Sequence, residues 1–89
     1  MTSNQLLTSS WSLLVEAGDE FLLSAPVLNY RIEVAAVDTE TTPDVDGHPL
    51  QGGGDNRESL NRALIGPGYV YGRSLRGPVS VVITSWTPA

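Results

Sequence analysis

The chain has no cysteine, no lysine, a single histidine (His48), and no stretch near the roughly 18 consecutive apolar residues of a membrane span. Each absence removes a class of function. Without cysteine there is no disulfide framework, no thiolate metal site and no thiol nucleophile, and the redox state of the compartment leaves no mark on the sequence. Five arginines stand against ten acids, for a net charge of -5. Such a chain repels a phosphate backbone instead of releasing its counterions, so a nucleic-acid partner is not expected. One histidine falls short of the ligands a zinc site requires, unless a symmetric oligomer collects several copies around its axis. Met1 to Gln5 lacks the basic n-region of a secretory signal, and neither a signal nor a membrane partner is expected. What is present is 89 residues, enough for one small domain. A domain of that size buries only about 60 to 65% of the surface its unfolded chain exposes, which makes self-association a natural added support.

The positive signals are extended ones. Ser10 to Glu16 alternates, with Trp11, Leu13 and Val15 on one face and Ser12, Leu14 and Glu16 on the other. A turn at Ala17-Gly18-Asp19-Glu20 leads to a short apolar run, Phe21 to Ser24, which Pro26 closes. From Leu28 to Val37 the positions Leu28, Tyr30, Ile32, Val34 and Ala36 are apolar and Asn29, Arg31 and Glu33 polar, the signature of a strand with one wet side. Tyr69, Tyr71 and Arg73 share one face of another strand, with Val70, Gly72 and Ser74 opposite. After a tight turn at Leu75-Arg76-Gly77-Pro78, Val79 to Trp86 is the most strand-like run of all, and the two segments predict a hairpin. Trp11 and Trp86 lie in the first and last strong strands, which are expected to come together in the core.

Two segments break this rhythm. Asp38 to Asp55 holds four glycines and five acids with almost no periodicity, and predicts a long loop interrupted at most by an edge strand around His48-Pro49-Leu50. A loop of that length suits contact chemistry. Arg57 to Ile65 supports two readings. Asp55 with Glu58 resembles a capping box before Leu60, Ala63 and Leu64 on one helical face, whereas alternation of Leu60, Arg62 and Leu64 with their neighbours supports a strand. The expected architecture is mainly β: a small antiparallel β-sandwich, Ig-like or jelly-roll-like, of six to seven strands, with a short helix near 57–64 as an option. Residues 1–9 read as a flexible amino-terminal arm and residues 10–89 as the single domain.

No arrangement of catalytic residues emerges. Asp44-Val45-Asp46-Gly47-His48 faintly resembles a calcium loop, but after Gly47 the third ligand position holds His48 and no oxygen ligand, and no bidentate glutamate follows, so a solvated acidic loop is expected and no metal. Gly52-Gly53-Gly54 lacks the Gly-Lys-Ser/Thr of a phosphate cradle. A nucleophile with an oriented base is not apparent, and a non-enzymatic protein without cofactors is expected. The aromatic residues say more. Tyr69 and Tyr71 beside Arg73 have the composition of a contact surface, or of a half-buried face with a cation–π pair to Arg73. The last strand is apolar on both faces, with Val79, Val81 and Ile83 on one and Val82 and Trp86 on the other, so the second face needs a cover.

The Trp-led first strand, Tyr30-Arg31-Ile32-Glu33-Val34, the acidic loop with Gly47-His48-Pro49-Leu50, and Ile65-Gly66-Pro67-Gly68-Tyr69-Val70-Tyr71-Gly72-Arg73-Ser74 before a Val-rich closing strand together resemble the small β-sandwich virion proteins of tailed bacteriophages. That resemblance implies a structural protein on the particle surface, assembled in the host cytoplasm. It would act as a capsid decoration or cement protein, or a head fibre, with the major capsid protein or another virion protein as partner and a trimer or dimer as its own state. The alternative within the same group is a small tail or fibre adhesin module that binds a host receptor or glycan; from another class, the chain would be a cytoplasmic inhibitor acting through its acidic loop. The contact candidates are Leu6 and Leu7 in the arm, Asp44, Asp46 and His48 in the loop, and Tyr69, Tyr71, Arg73 and Arg76.

Overall fold

The apolar alternation resolves into two layers. The computed structural model describes residues 2–24, 30–44, 47–51, 59–61 and 65–88. Its strands are β1 (Thr2–Leu7), β2 (Ser12–Val15), β3 (Glu20–Ser24), β4 (Arg31–Val37), β5 (His48–Gln51), β6 (Ser59–Asn61), β7 (Tyr69–Ser74) and β8 (Val79–Trp86). One sheet has the order β1-β8-β3-β6 and the other β2-β7-β4-β5, with antiparallel neighbours throughout. The pairing is nested: β1 with β8, β2 with β7, β3 with β6 and β4 with β5. A long hairpin of four strand pairs, wrapped on itself so that β8 also meets β3 and β7 meets β4, is a jelly roll. Of the two sandwich types expected, this nesting is the second.

The core lies between the sheets. Leu7, Val79, Val81, Ile83, Phe21 and Leu23 enter it from the first sheet, and Val15, Ile32, Val34, Leu50 and Val70 from the second. Full burial of such side chains contributes roughly 1.5–3 kcal/mol each before conformational entropy is counted. Gly72 faces the core with no room for a side chain: a β-carbon there would lie 2.7 Å from Leu14 Cδ1 of its own sheet and 3.4 Å from Leu7 Cδ1 of the other. The missing side chain is the space that those two leucines fill.

Several expectations are corrected. Thr2–Leu7, read as part of an arm, forms β1 in unbroken register with β8, because Leu7 opposite Val79 completes the core. β7 and β8 are not a hairpin; they lie in different sheets. The chain crosses between layers at 75–78, where Ser74 N–H donates to Thr8 O (2.7 Å), Leu75 N–H donates to Arg31 O (2.8 Å), and Gly77 takes a positive φ. The two tryptophans consequently sit in different layers, and Trp86 is half exposed. In the 57–64 segment the described residues, Ser59–Asn61, form a strand paired with β3; the remainder lies outside the described residues. The long loop does contain the short edge strand at His48–Gln51.

Candidate functional site

The outer face of the first sheet follows from the register. Because Phe21, Leu23, Val79, Val81 and Ile83 point inward, their neighbours Leu22, Val82, Thr84 and Trp86 point out, joined by Thr2, Asn4 and Leu6 of β1. Leu6 lies opposite Ser80, and Leu22 opposite Thr84. Leu6 is thus a diagonal neighbour of Val82, while Leu22 has Val82 and Trp86 as its two diagonal neighbours, a spacing within reach of long side chains. An oblique apolar stripe results: Leu6 (58% exposed), Val82 (half-buried), Leu22 (46%) and Trp86 (50%). Around it lie Thr2, Asn4, Ser24, Asn61, Ser80 and Thr84, with the Thr2 and Thr84 hydroxyls bonded at 2.9 Å. Glu20 is the one ionisable side chain on this face among the described residues. Singly exposed apolar residues are ordinary, but a contiguous stripe on a face depleted of charge has the composition of an interface core.

The outer face of the second sheet is built differently. Arg73 and Glu33 are opposite each other in the β4–β7 register. Arg73 Nε–H donates to Glu33 Oε1, and Nη2 pairs with the same oxygen. The other oxygen, Oε2, accepts the Gly47 backbone N–H at 3.3 Å. Trp11 lies over the guanidinium, with Arg73 Cζ 4.5 Å from the ring centroid. Gly47 fits beneath Trp11 because it has no side chain; a β-carbon would come within 2.8 Å of Val34 O and 3.1 Å of Trp11 Cη2. The face expected to be wet is therefore covered at Glu33, which is only 7% exposed, while Arg31 on the same face is exposed as expected. The cation–π contact exists, but with Trp11 and not with a tyrosine.

The remaining contact candidates divide by position. Leu7 is wholly inside the core and has no surface to offer, and Tyr71 is buried. Tyr69 is half-buried, and Arg73 is engaged within the chain by Glu33 and Trp11. Asp44, His48 and Arg76 are exposed, on the loop, on β5 and in the 75–77 bend; Asp46 lies outside the described residues. Leu6 belongs to the stripe. The residue that sequence reading missed is Leu22, although its signal was present, since it alternates with Phe21 and Leu23. A cleft of about 310 Å³ lies between Gly18-Asp19-Glu20 and Gly66-Pro67-Gly68, and its Asp19 carboxylate accepts the Thr87 hydroxyl at 3.0 Å. This lining supplies no nucleophile with an oriented base.

Tyr71 also carries an electrostatic consequence. Burial, then the nearby carboxylates of Glu40 and Glu16 and the neighbouring Tyr69, hold its phenol above the ordinary value of 10.0. Below that value both folded and unfolded chains keep the proton, and the contribution to stability is full. Above it the unfolded chain ionises first, so stability falls as pH rises through the folded value. Thermal melts between pH 8 and 11 are expected to drop less steeply for Tyr71→Phe than for the wild type; equal slopes would refute this.

In comparison with known proteins, no family model matches the chain, and neither a curated protein nor a solved structure matches it.

Proposed function

We propose that the chain is a non-enzymatic structural protein of a phage particle that docks on the capsid surface as a decoration or cement protein, as a symmetric oligomer, and stabilises the shell. The observation that carries this reading is the charge-depleted outer face of the β1-β8-β3-β6 sheet with its stripe of Leu6, Val82, Leu22 and Trp86. A sheet offering a broad surface whose one ionisable side chain among the described residues is Glu20 suits recognition of another protein's flat surface better than capture of a small molecule. The jelly-roll topology supports it by fold analogy alone, since capsid and lectin domains both use that fold. The second reading, an adhesin module of a tail or fibre that binds receptor or glycan, draws on half-exposed Trp86 as an aromatic platform for a sugar ring.

Co-sedimentation of the purified chain with empty shells of its source phage tests the proposal. The wild type is expected to bind at a fixed stoichiometry, and Leu22→Asp with Trp86→Ser to weaken binding by about 100-fold or more, the scale of losing a central aromatic anchor. A chain that ignores shells but is retained by host glycans would move the assignment to the adhesin.

A further inference from the structure

The two sheets leave four edges, and three of them are guarded against pairing with another strand. β2 is interrupted by a register shift between Leu13 and Val15, β5 carries Pro49, and β6 is three residues long. Bulges, prolines and shortness are the devices by which sheet proteins keep edges from pairing. β1 has none of them. Its six residues, Thr-Ser-Asn-Gln-Leu-Leu, run in unbroken register along β8 on one side, without proline or charge, and Thr2, Ser3, Asn4 and Leu6 are exposed. A strand of this kind presents a row of backbone donors and acceptors along its outer side.

We infer that β1 is a self-association edge and that its occupant is the β1 of a second copy, paired antiparallel about a two-fold axis. Charge selects the occupant. The chain carries a net charge of -5, so a second copy meets repulsion at most approaches. Neither β1 nor its neighbour β8 contains an ionisable side chain, which makes this edge a place where two equally acidic molecules meet without opposed carboxylates. Symmetry fits as well, because an antiparallel pair about a two-fold is self-complementary. Opposed residues in such a pair share a sheet face, so an axis at Asn4 sets Thr2 against Leu6, and an axis at Gln5 sets Asn4 against Leu6 and Ser3 against Leu7. Either register joins two four-stranded sheets into one of eight strands and doubles the charge-depleted outer face. This inference rests on the fold and the charge distribution, and holds whatever the outer face binds.

Sedimentation velocity of the isolated chain at about 100 μM, above the micromolar range of modest interfaces, tests it directly. A dimer in exchange with monomer is expected. Because the chain has no cysteine, single-cysteine variants report geometry cleanly: Asn4→Cys or Gln5→Cys is expected to form a disulfide-linked dimer under mild oxidation, and Leu22→Cys, on the outer face, is not. Asn4→Lys with Leu6→Lys, which adds the usual edge guard at exposed positions, is expected to be monomeric, with the melting temperature of the wild type at dilutions where the wild type is itself monomeric. A monomer at that concentration overturns the inference, even one that accepts an extended peptide. So does a dimer that cross-links only through Leu22→Cys, or one that survives the double lysine variant.

Discussion

Replacing Leu7 by alanine is expected to remove about 2–5 kcal/mol of stability, the cost of a truncated core leucine and the cavity it leaves. Typical domains hold only about 5–15 kcal/mol in total, so this variant would be half unfolded at much lower urea than the wild type. The adjacent Leu6→Ala, at a side chain 58% exposed, is expected to change stability by no more than about 0.5 kcal/mol. The contrast arises because neighbouring positions on a strand face opposite sides: Leu7 meets Val79 and the space above Gly72, whereas Leu6 faces outward beside Val82. If residues 1–9 were a loose arm, both substitutions would be silent. Urea titration of the two variants separates the cases.

Arg73→Ala carries the second large effect. Glu33 is nearly inaccessible, and its Oε1 is neutralised by Arg73 alone among the described side chains. Removing the guanidinium leaves a buried carboxylate unpaired and takes away the cation–π partner of Trp11. Breaking a buried pair costs roughly 3–5 kcal/mol, and the lower end applies here because the Arg73 side chain is 31% exposed. Glu33→Gln, which keeps an acceptor for Gly47 N–H, is expected to cost about 1 kcal/mol. Removing both charges together, as Glu33→Leu with Arg73→Leu, should come closer to the wild type than Arg73→Ala does. A single-variant cost below about 0.5 kcal/mol would show that water reaches the pair freely. A double-mutant cycle by urea denaturation measures these terms.

The strands were legible wherever alternation was clean. Val79 to Trp86 and Tyr69 to Ser74 occupy the segments that periodicity assigned to them, and Val70, Gly72 and Ser74 share the face turned to the core. β2 shows how local pattern misleads. Ser10 to Glu16 alternates without a break, yet the register shift between Leu13 and Val15 lets both Leu14 and Val15 pack on the core. A bulge adds one residue to the period, and nothing in Leu13-Leu14-Val15 announces it.

Sheet membership was not legible, for a physical reason. The turn at Leu75-Arg76-Gly77-Pro78 has the residues of a hairpin, but its direction is decided by remote backbone partners, Thr8 O and Arg31 O, which local sequence does not reveal. The same nonlocality hid the role of Glu33. In sequence it is one polar residue on an alternating strand; in the fold it is the acceptor for Arg73, forty residues away, under Trp11. The outer apolar stripe was half visible, since Val82 and Trp86 marked a second apolar face in search of a cover. Only the β3–β8 and β1–β8 registers show that Leu22 and Leu6 complete it.

On the proposed function, the outer face of the β1-β8-β3-β6 sheet is the surface that meets the capsid. Hydroxyl-radical footprinting of the chain, free and bound to shells, addresses it most directly because Leu22 and Trp86 are exposed in the free chain and Trp11 and Tyr69 report the opposite layer. Protection of Leu22 and Trp86 on binding, with Trp11 and Tyr69 unchanged, is the predicted result. Protection confined to Trp11 and Tyr69, with Leu22 and Trp86 as reactive as in the free chain, would contradict it.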